Sequence, residues 1–137
     1  MILQPNTITV KPAGQLTKSQ RMQALTLGQT FVPNEIPHLL YLAGLIGDRI
    51  VGVLYAETED PCLIHVIATD IAHRRQGIGQ RLLEDFEKRM AHSNRLEIQA
   101  DCVSAESTGL FSKLGYTFSG KFASKDLSEL VPDQGIE

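Results

Sequence analysis

Arg74, Gly77 and Gly79 stand at Arg-x-x-Gly-x-Gly spacing in the segment His73-Arg74-Arg75-Gln76-Gly77-Ile78-Gly79. That combination suits a phosphorylated ligand. Glycine lets the backbone take unusual dihedrals and approach an anion with no Cβ in the way. From Ile78 onward the sequence turns helical, and the first amides of a helix lack intrahelical acceptors and carry the positive end of its dipole. A pyrophosphate placed there meets backbone donors from Gln76 to Gly79, with Arg74 and Arg75 adding positive charge. Two other phosphate loops fail on spelling. A Walker loop needs Gly-Lys-Ser/Thr, and here Gln80-Arg81 follow Gly79. A dinucleotide fingerprint needs a third glycine where Leu82 stands, and it usually opens its fold, whereas this unit begins only at Leu63. The bland alternative is a glycine turn capping a surface helix. A buried strand before it, an amphipathic helix after it and two arginines within it weigh against that alternative.

The elements that must position this loop are legible around it. Residues 63–69 are nearly all apolar and read as a strand buried on both faces. Ile78, Leu82, Phe86 and Met90 recur every four residues with Leu83 beside them, while Arg81, Glu84, Asp85, Lys88 and Arg89 supply the wet faces of a helix. Residues 95–101 alternate, with Leu96 and Ile98 on one face. A shorter helix over about 104–114 stops at Gly115, residues 116–122 form a last strand, and beyond Ala123 the signal fades into a polar tail. Upstream, residues 7–11 read as a strand stopped by Pro12 and Gly14. Thr17 caps a helix over about 18–27 that turns Met22 and Leu25 inward and is closed by Gly28. Residues 29–37 have no clear period. Runs 39–46 and 49–57 form a hairpin at Gly47-Asp48. The order predicts an α/β domain with a mixed sheet and two strand-helix-strand crossovers in its second half.

The chain has 137 residues, of which 42% are hydrophobic and 21% charged, with a formal net charge of -3. This balance fits a single globular domain over 1–137, with the tail after about 123 weakly defined. No basic footprint points to nucleic acid or an anionic membrane. No N-terminal leader and no apolar run of roughly 18 residues is visible. Cys62 and Cys102 have no metal-ligand pattern around them, so neither a disulfide nor a metal site is expected, and a cytoplasmic setting is.

The run His73 to Leu83 resembles the Arg/Gln-x-x-Gly-x-Gly/Ala segment of the GCN5-related N-acetyltransferase (GNAT) superfamily. Downstream, Leu110-Phe111-Ser112-Lys113-Leu114-Gly115-Tyr116 is similar to that family's second segment, a helix ending in Leu-Gly-aromatic. The resemblance covers about Leu63 to Phe118. It implies a twisted, mostly antiparallel sheet with a parallel strand pair, 63–69 and 95–101, that splays apart to admit acetyl-CoA. Backbone groups of Ile67, Ala68 and Thr69 would meet the pantetheine arm, residues 74–79 the pyrophosphate, and Ser104 and Phe111 the rest of the cofactor. With parallel strands, Cys62 and Cys102 fall at opposite ends.

The implied activity is transfer of an acetyl group to a primary amine of a small molecule, peptide or protein, and a homodimer is compatible with it. Such a reaction needs a neutral amine, hence a base near the splay. His65 occupies a strand position where many relatives carry glutamate, and imidazoles titrate near neutrality; a buried structural histidine is the alternative. Glu57 is the second candidate base, with Glu59 and Asp60 nearby. This acidic cluster could instead attract a cationic amine or be a solvated hairpin end. Residues 12–40 and 116–137 are where the family builds its acceptor site. Phe111 departs from the family pattern, since many relatives place there a tyrosine that protonates the departing thiolate. A slow enzyme is expected, and a non-catalytic CoA-binding module is the alternative.

Overall fold

The computed structural model describes residues 7–31, 39–74, 76–101, 105–120 and 122–130. The expectations for Arg75, Cys102, Ser104 and residues 32–37 lie outside the described residues. Along the chain run β1 (Ile8–Pro12), α1 (Lys18–Phe31), β2 (Leu40–Ile46), β3 (Arg49–Glu57) and β4 (Cys62–Thr69). Then come α2 (Ile78–His92), β5 (Glu97–Ala100), α3 (Ala105–Lys113), β6 (Thr117–Ser119) and β7 (Phe122–Asp126). The seven strands form one mixed sheet in the order β1-β2-β3-β4-β5-β7-β6. β4 and β5 are its parallel pair. The α/β class read from the sequence is the one observed. Two compact units divide the chain, Met1–Tyr55 with Val66–Leu83, and Ala56–His65 with Glu84–Glu137.

In the first unit, α1 opens on a capping box. Gln20 N–H donates to Thr17 Oγ1 at 3.1 Å, and Thr17 N–H donates to Gln20 Oε1 at 3.0 Å, so two orphan amides of the helix start are satisfied reciprocally. Gln23 Oε1 accepts from Ile50 N–H and Gln20 Nε2 donates to Asp48 O, tying α1 to the β2–β3 hairpin. That hairpin turns at Gly47, whose φ is +62°. Leu16, Ala24, Ala43, Leu45, Ile50, Val53, Tyr55, Val66 and Ala68 form one buried cluster.

Three details correct the sequence reading. Gly28 does not close α1; it lies inside the helix, where an added Cβ would sit 2.5 Å from Tyr55 Oη. The missing side chain makes room for the Tyr55 ring and leaves the helix free to continue. Met22 is 59% exposed and the inward face is Gln20, Ala24 and Gly28. Pro12 ends β1 from within, paired opposite Leu42. β1 is an edge strand, where the missing amide of proline is tolerated.

The second unit holds the parallel register Cys62↔Ile98, Leu63↔Gln99 and Ile64↔Ala100. β4 is buried on one face only, with Cys62, Ile64, Val66 and Ala68 buried and the alternate residues half-buried, so it is not the doubly buried strand expected. Leu96, at 50% exposed, precedes β5 and does not share the buried face of Ile98. The tail carries structure beyond Ala123. β7 inserts between β5 and β6, antiparallel to both, with Ala123 opposite Ala100 and Phe118. The expected strand over 116–122 is therefore a hairpin turning at Gly120, φ +63°, and the second crossover ends in an antiparallel strand. α2 ends on Asn94, φ +62°, with Arg95 N–H donating to Met90 O and Asn94 N–H to Ala91 O, the paired bonds of a Schellman motif.

Candidate active site

β4 runs into the loop through a single 3-10 turn, Ile71–His73. Asp70 sets that turn. Its amide donates to Val51 O at 2.9 Å, its Oδ1 accepts from Ala72 N–H, and its Oδ2 lies 3.4 Å from His73 Nδ1. Arg74 and Gln76 follow, exposed, and Gly77 takes φ +78° with nothing within 4 Å of where a Cβ would be. Glycine takes that left-handed conformation without a Cβ clash. Arg81 N–H is bonded to Gly77 O at 3.0 Å, so the amides of Ile78 and Gly79 fall in the first turn, where no intrahelical acceptor exists.

Helix α2 is pinned against the sheet where the loop delivers it. An added Cβ on Gly52 of β3 would lie 2.6 Å from Ile78 Cγ2 and 3.0 Å from Leu82 Cδ1. Ile78 is 1% exposed. An open glycine corner at the start of a packed helix is a cradle that fits a pyrophosphate: Gly77, Ile78 and Gly79 would offer backbone donors and Arg74 a cation. Asp70 and Gly52 were not legible from the sequence. One reads as a loop carboxylate and the other as one more small residue in an apolar strand.

The parallel register stops at Ile64 and Ala100, where β5 ends, while β4 continues to Thr69. Ile67, Ala68 and Thr69 lie in this extension, Ala68 buried and its neighbours half-buried.

His65 and Glu57, two separate candidates in the sequence, are brought together. His65 Nε2 lies 2.7 Å from Glu57 Oε2, with the imidazole 28% and the carboxylate 51% exposed. A carboxylate only accepts hydrogen bonds, so Nε2 carries the hydrogen and the lone pair of the neutral ring is on Nδ1. Asp60 does not join them. Its carboxylate accepts from Leu96 N–H, a structural tie between the β3–β4 turn and the entry to β5. Glu59 is exposed.

Phe111 is 2% exposed and its ring meets Tyr116 edge-on, with centroids 4.9 Å apart at 79°. The reason for the Leu-Gly-Tyr spelling is visible here. Tyr116 N–H donates to Phe111 O, Gly115 N–H donates to Ser112 O, and Gly115 has φ +92°. This is a Schellman end, and the Phe111–Tyr116 contact is its usual apolar clasp.

Lys125 and Glu87, neither singled out by sequence, stand beside this end. Lys125 Nζ donates to Glu87 Oε1 at 3.0 Å and to Leu114 O at 2.6 Å, and lies 5.6 Å from the Tyr116 ring centre. Tyr116 Oη and Glu87 Oε2 are buried without a hydrogen bond of good geometry. Burial first, and the nearby Glu87 charge second, push the Tyr116 hydroxyl well above its ordinary range. Cys62 is buried and free, and its thiol is pushed up to about 11, chiefly by burial, with Arg95 opposing.

A mixed sheet with one parallel pair, a glycine cradle at the helix after the first of those strands and a Leu-Gly-aromatic helix end together define an acetyltransferase fold. The chain belongs to the acetyltransferase (GNAT) family, whose model matches residues 12–116. Members of this family use acetyl-CoA. No curated protein matches the chain in a sequence comparison.

Solved structures resemble it closely in fold. An aminoglycoside 6'-N-acetyltransferase complexed with coenzyme A superposes at TM-score 0.76 and 15% identity, covering 91% of this chain and 98% of that one. The ribosomal-protein-S18-alanine N-acetyltransferase from Escherichia coli follows at 0.70 and 14%, covering 96% and 99%. GCN5 from Tetrahymena gives 0.69 and 12%, covering 88% and 96%. Among the described residues, no helix is long and apolar enough to cross a membrane and no cluster of metal-ligating side chains occurs.

Proposed function

We propose that this chain is an acetyl-CoA-dependent N-acetyltransferase acting on a primary amine of a small molecule or protein. When bound, acetyl-CoA supplies an acetyl thioester activated for transfer. Gly77, Ile78 and Gly79 would hold its pyrophosphate through backbone amides, with Arg74, the arginine of the family pattern, and its sequence neighbour Arg75 adding charge. Backbone groups of Ile67, Ala68 and Thr69 would line the pantetheine arm, joined at the second segment by Ser104 and Phe111.

The observation that favours turnover over simple binding is the 2.7 Å pair of His65 and Glu57. Glu57 fixes the tautomer, and His65 Nδ1 takes the proton of the incoming ammonium, so that a neutral amine attacks. The second reading, a CoA-binding module without turnover, is favoured by Phe111, which has no proton to give a leaving thiolate.

Thiol detection of CoA release over a panel of amines and peptides tests the two, with CoA binding followed by calorimetry. Turnover that drops about 10²-fold in His65→Ala at unchanged CoA affinity supports the enzyme. Tight CoA binding with no turnover on any amine or peptide supports the module. Absence of CoA binding at millimolar concentration would sink both.

A further inference from the structure

The Schellman end of α3 does not serve every carbonyl of its last turn. Its two bonds satisfy Phe111 O and Ser112 O, but not Leu114 O, which sits at the negative end of the helix dipole. Lys125 reaches it at 2.6 Å from β7, with its ammonium held at the same time by Glu87 of α2. Glu87 is 5% exposed. A carboxylate that deeply buried is costly unless paired. The pair therefore fixes Lys125, and Lys125 fixes the helix end.

We propose that Lys125 is a positioning residue for the cofactor site: braced by Glu87, it anchors the C-terminal end of α3 and so sets the place of Phe111. The inference rests on the proposed function in one respect, that α3 contributes Phe111 to the cofactor's surroundings. Lys125 and Glu87 touch no reacting atom. They act through the backbone at Leu114 and through the Phe111–Tyr116 clasp. A charge-assisted bond to a helix terminus is worth at least a factor of ten in local opening.

The test uses Lys125→Met together with the double variant Glu87→Gln/Lys125→Met, which leaves no unpaired buried charge and so guards against simple misfolding. Amide hydrogen exchange is read in the free protein, and CoA affinity by calorimetry. The expected result is about tenfold faster exchange at Gly115 and Tyr116, unchanged exchange at Asn94 and Arg95, and about tenfold weaker CoA binding. Lys125→Arg, which keeps the charge and donors, restores most of both. Faster exchange with unaltered CoA affinity would mean a purely structural tie and overturns the proposal. So would unaltered exchange, or exchange that rises equally at Asn94 and Arg95. A wild-type protein that fails to bind CoA removes the proposed function and this inference with it, whereas wild-type binding matched by the double variant removes this inference alone.

Discussion

Gly52→Ala is the substitution that best isolates how the sheet positions the cradle. The new methyl carbon would lie 2.6 Å from Ile78 Cγ2 and 3.0 Å from Leu82 Cδ1, with Ala68 O at 3.4 Å. Carbon atoms pack at about 3.5–4.0 Å, so Ile78 must retreat by about 1 Å. It cannot do so by rotating, because it is β-branched and buried. The first turn of α2 has to move instead. Overpacking of this kind costs about 1–3 kcal/mol, or roughly 4–12 °C in Tm for a chain of this size.

The amides of Ile78 and Gly79 travel with the turn. A hydrogen bond to a charged group is worth about 1.5–3 kcal/mol, so weakening one by such a displacement should lower CoA affinity by roughly tenfold. Scanning calorimetry gives the first quantity and CoA titration the second. A double-mutant cycle identifies the cause. In an Ile78→Ala background the same Gly52→Ala change should cost clearly less, because the nearest obstructing methyl is gone and only the end of the Leu82 side chain must give way. Wild-type Tm and CoA affinity in Gly52→Ala would refute the reasoning.

Three further outcomes follow from the site. Glu57→Gln should lower kcat by about 10²-fold while leaving CoA affinity unchanged, because an amide can donate to Nε2 and move the ring hydrogen to Nδ1; an unaltered rate and pH profile would return the base to ordered water. Phe111→Tyr should raise kcat at unchanged CoA affinity, and a flat rate would show that another donor serves the leaving thiolate. Cys62 has its thiol raised from 9.0 to about 11, so the stability it confers is complete below pH 9 and lost as pH rises toward 11. That loss is on the order of 2–3 kcal/mol. Urea midpoints between pH 8 and 11 should fall less steeply in Cys62→Ala, and parallel curves would count against the assignment.

What was legible in the sequence was whatever periodicity or capping chemistry writes locally. Ile78, Leu82, Phe86 and Met90 gave α2 its buried face, and Thr17 marked the start of α1, with Gln20 completing the capping box in the fold. Gly47 and Gly115 marked turns because their φ angles are positive. What escaped was set by partners distant in the chain. Gly28 reads as a stop until Tyr55 is seen against it. β7 alternates weakly, in Phe122-Ala123-Ser124-Lys125-Asp126, and its place between β5 and β6 is fixed by pairing rather than pattern. Lys125 and Glu87 are ordinary surface types by composition, and only the fold buries Glu87 and sets the half-buried Lys125 against it. The two candidate bases were visible singly, but nothing local says that Glu57 and His65 meet.

The position of β7 also bears on how the protein is made. In the finished sheet β5 is flanked by β4 on one side and β7 on the other, yet β7 is synthesised after β5, α3 and β6. Between the emergence of Ala100 and that of Asp126, β5 shows a bare row of amides and carbonyls to its surroundings. At about 5–20 residues per second on a ribosome, that exposure lasts about 1–5 s. An unpaired strand is a template for other chains. β5, with only four residues, offers such a template a short grip, and chaperone demand should concentrate in this interval. A stalled translation product ending just before residue 122 is the form expected to aggregate most readily.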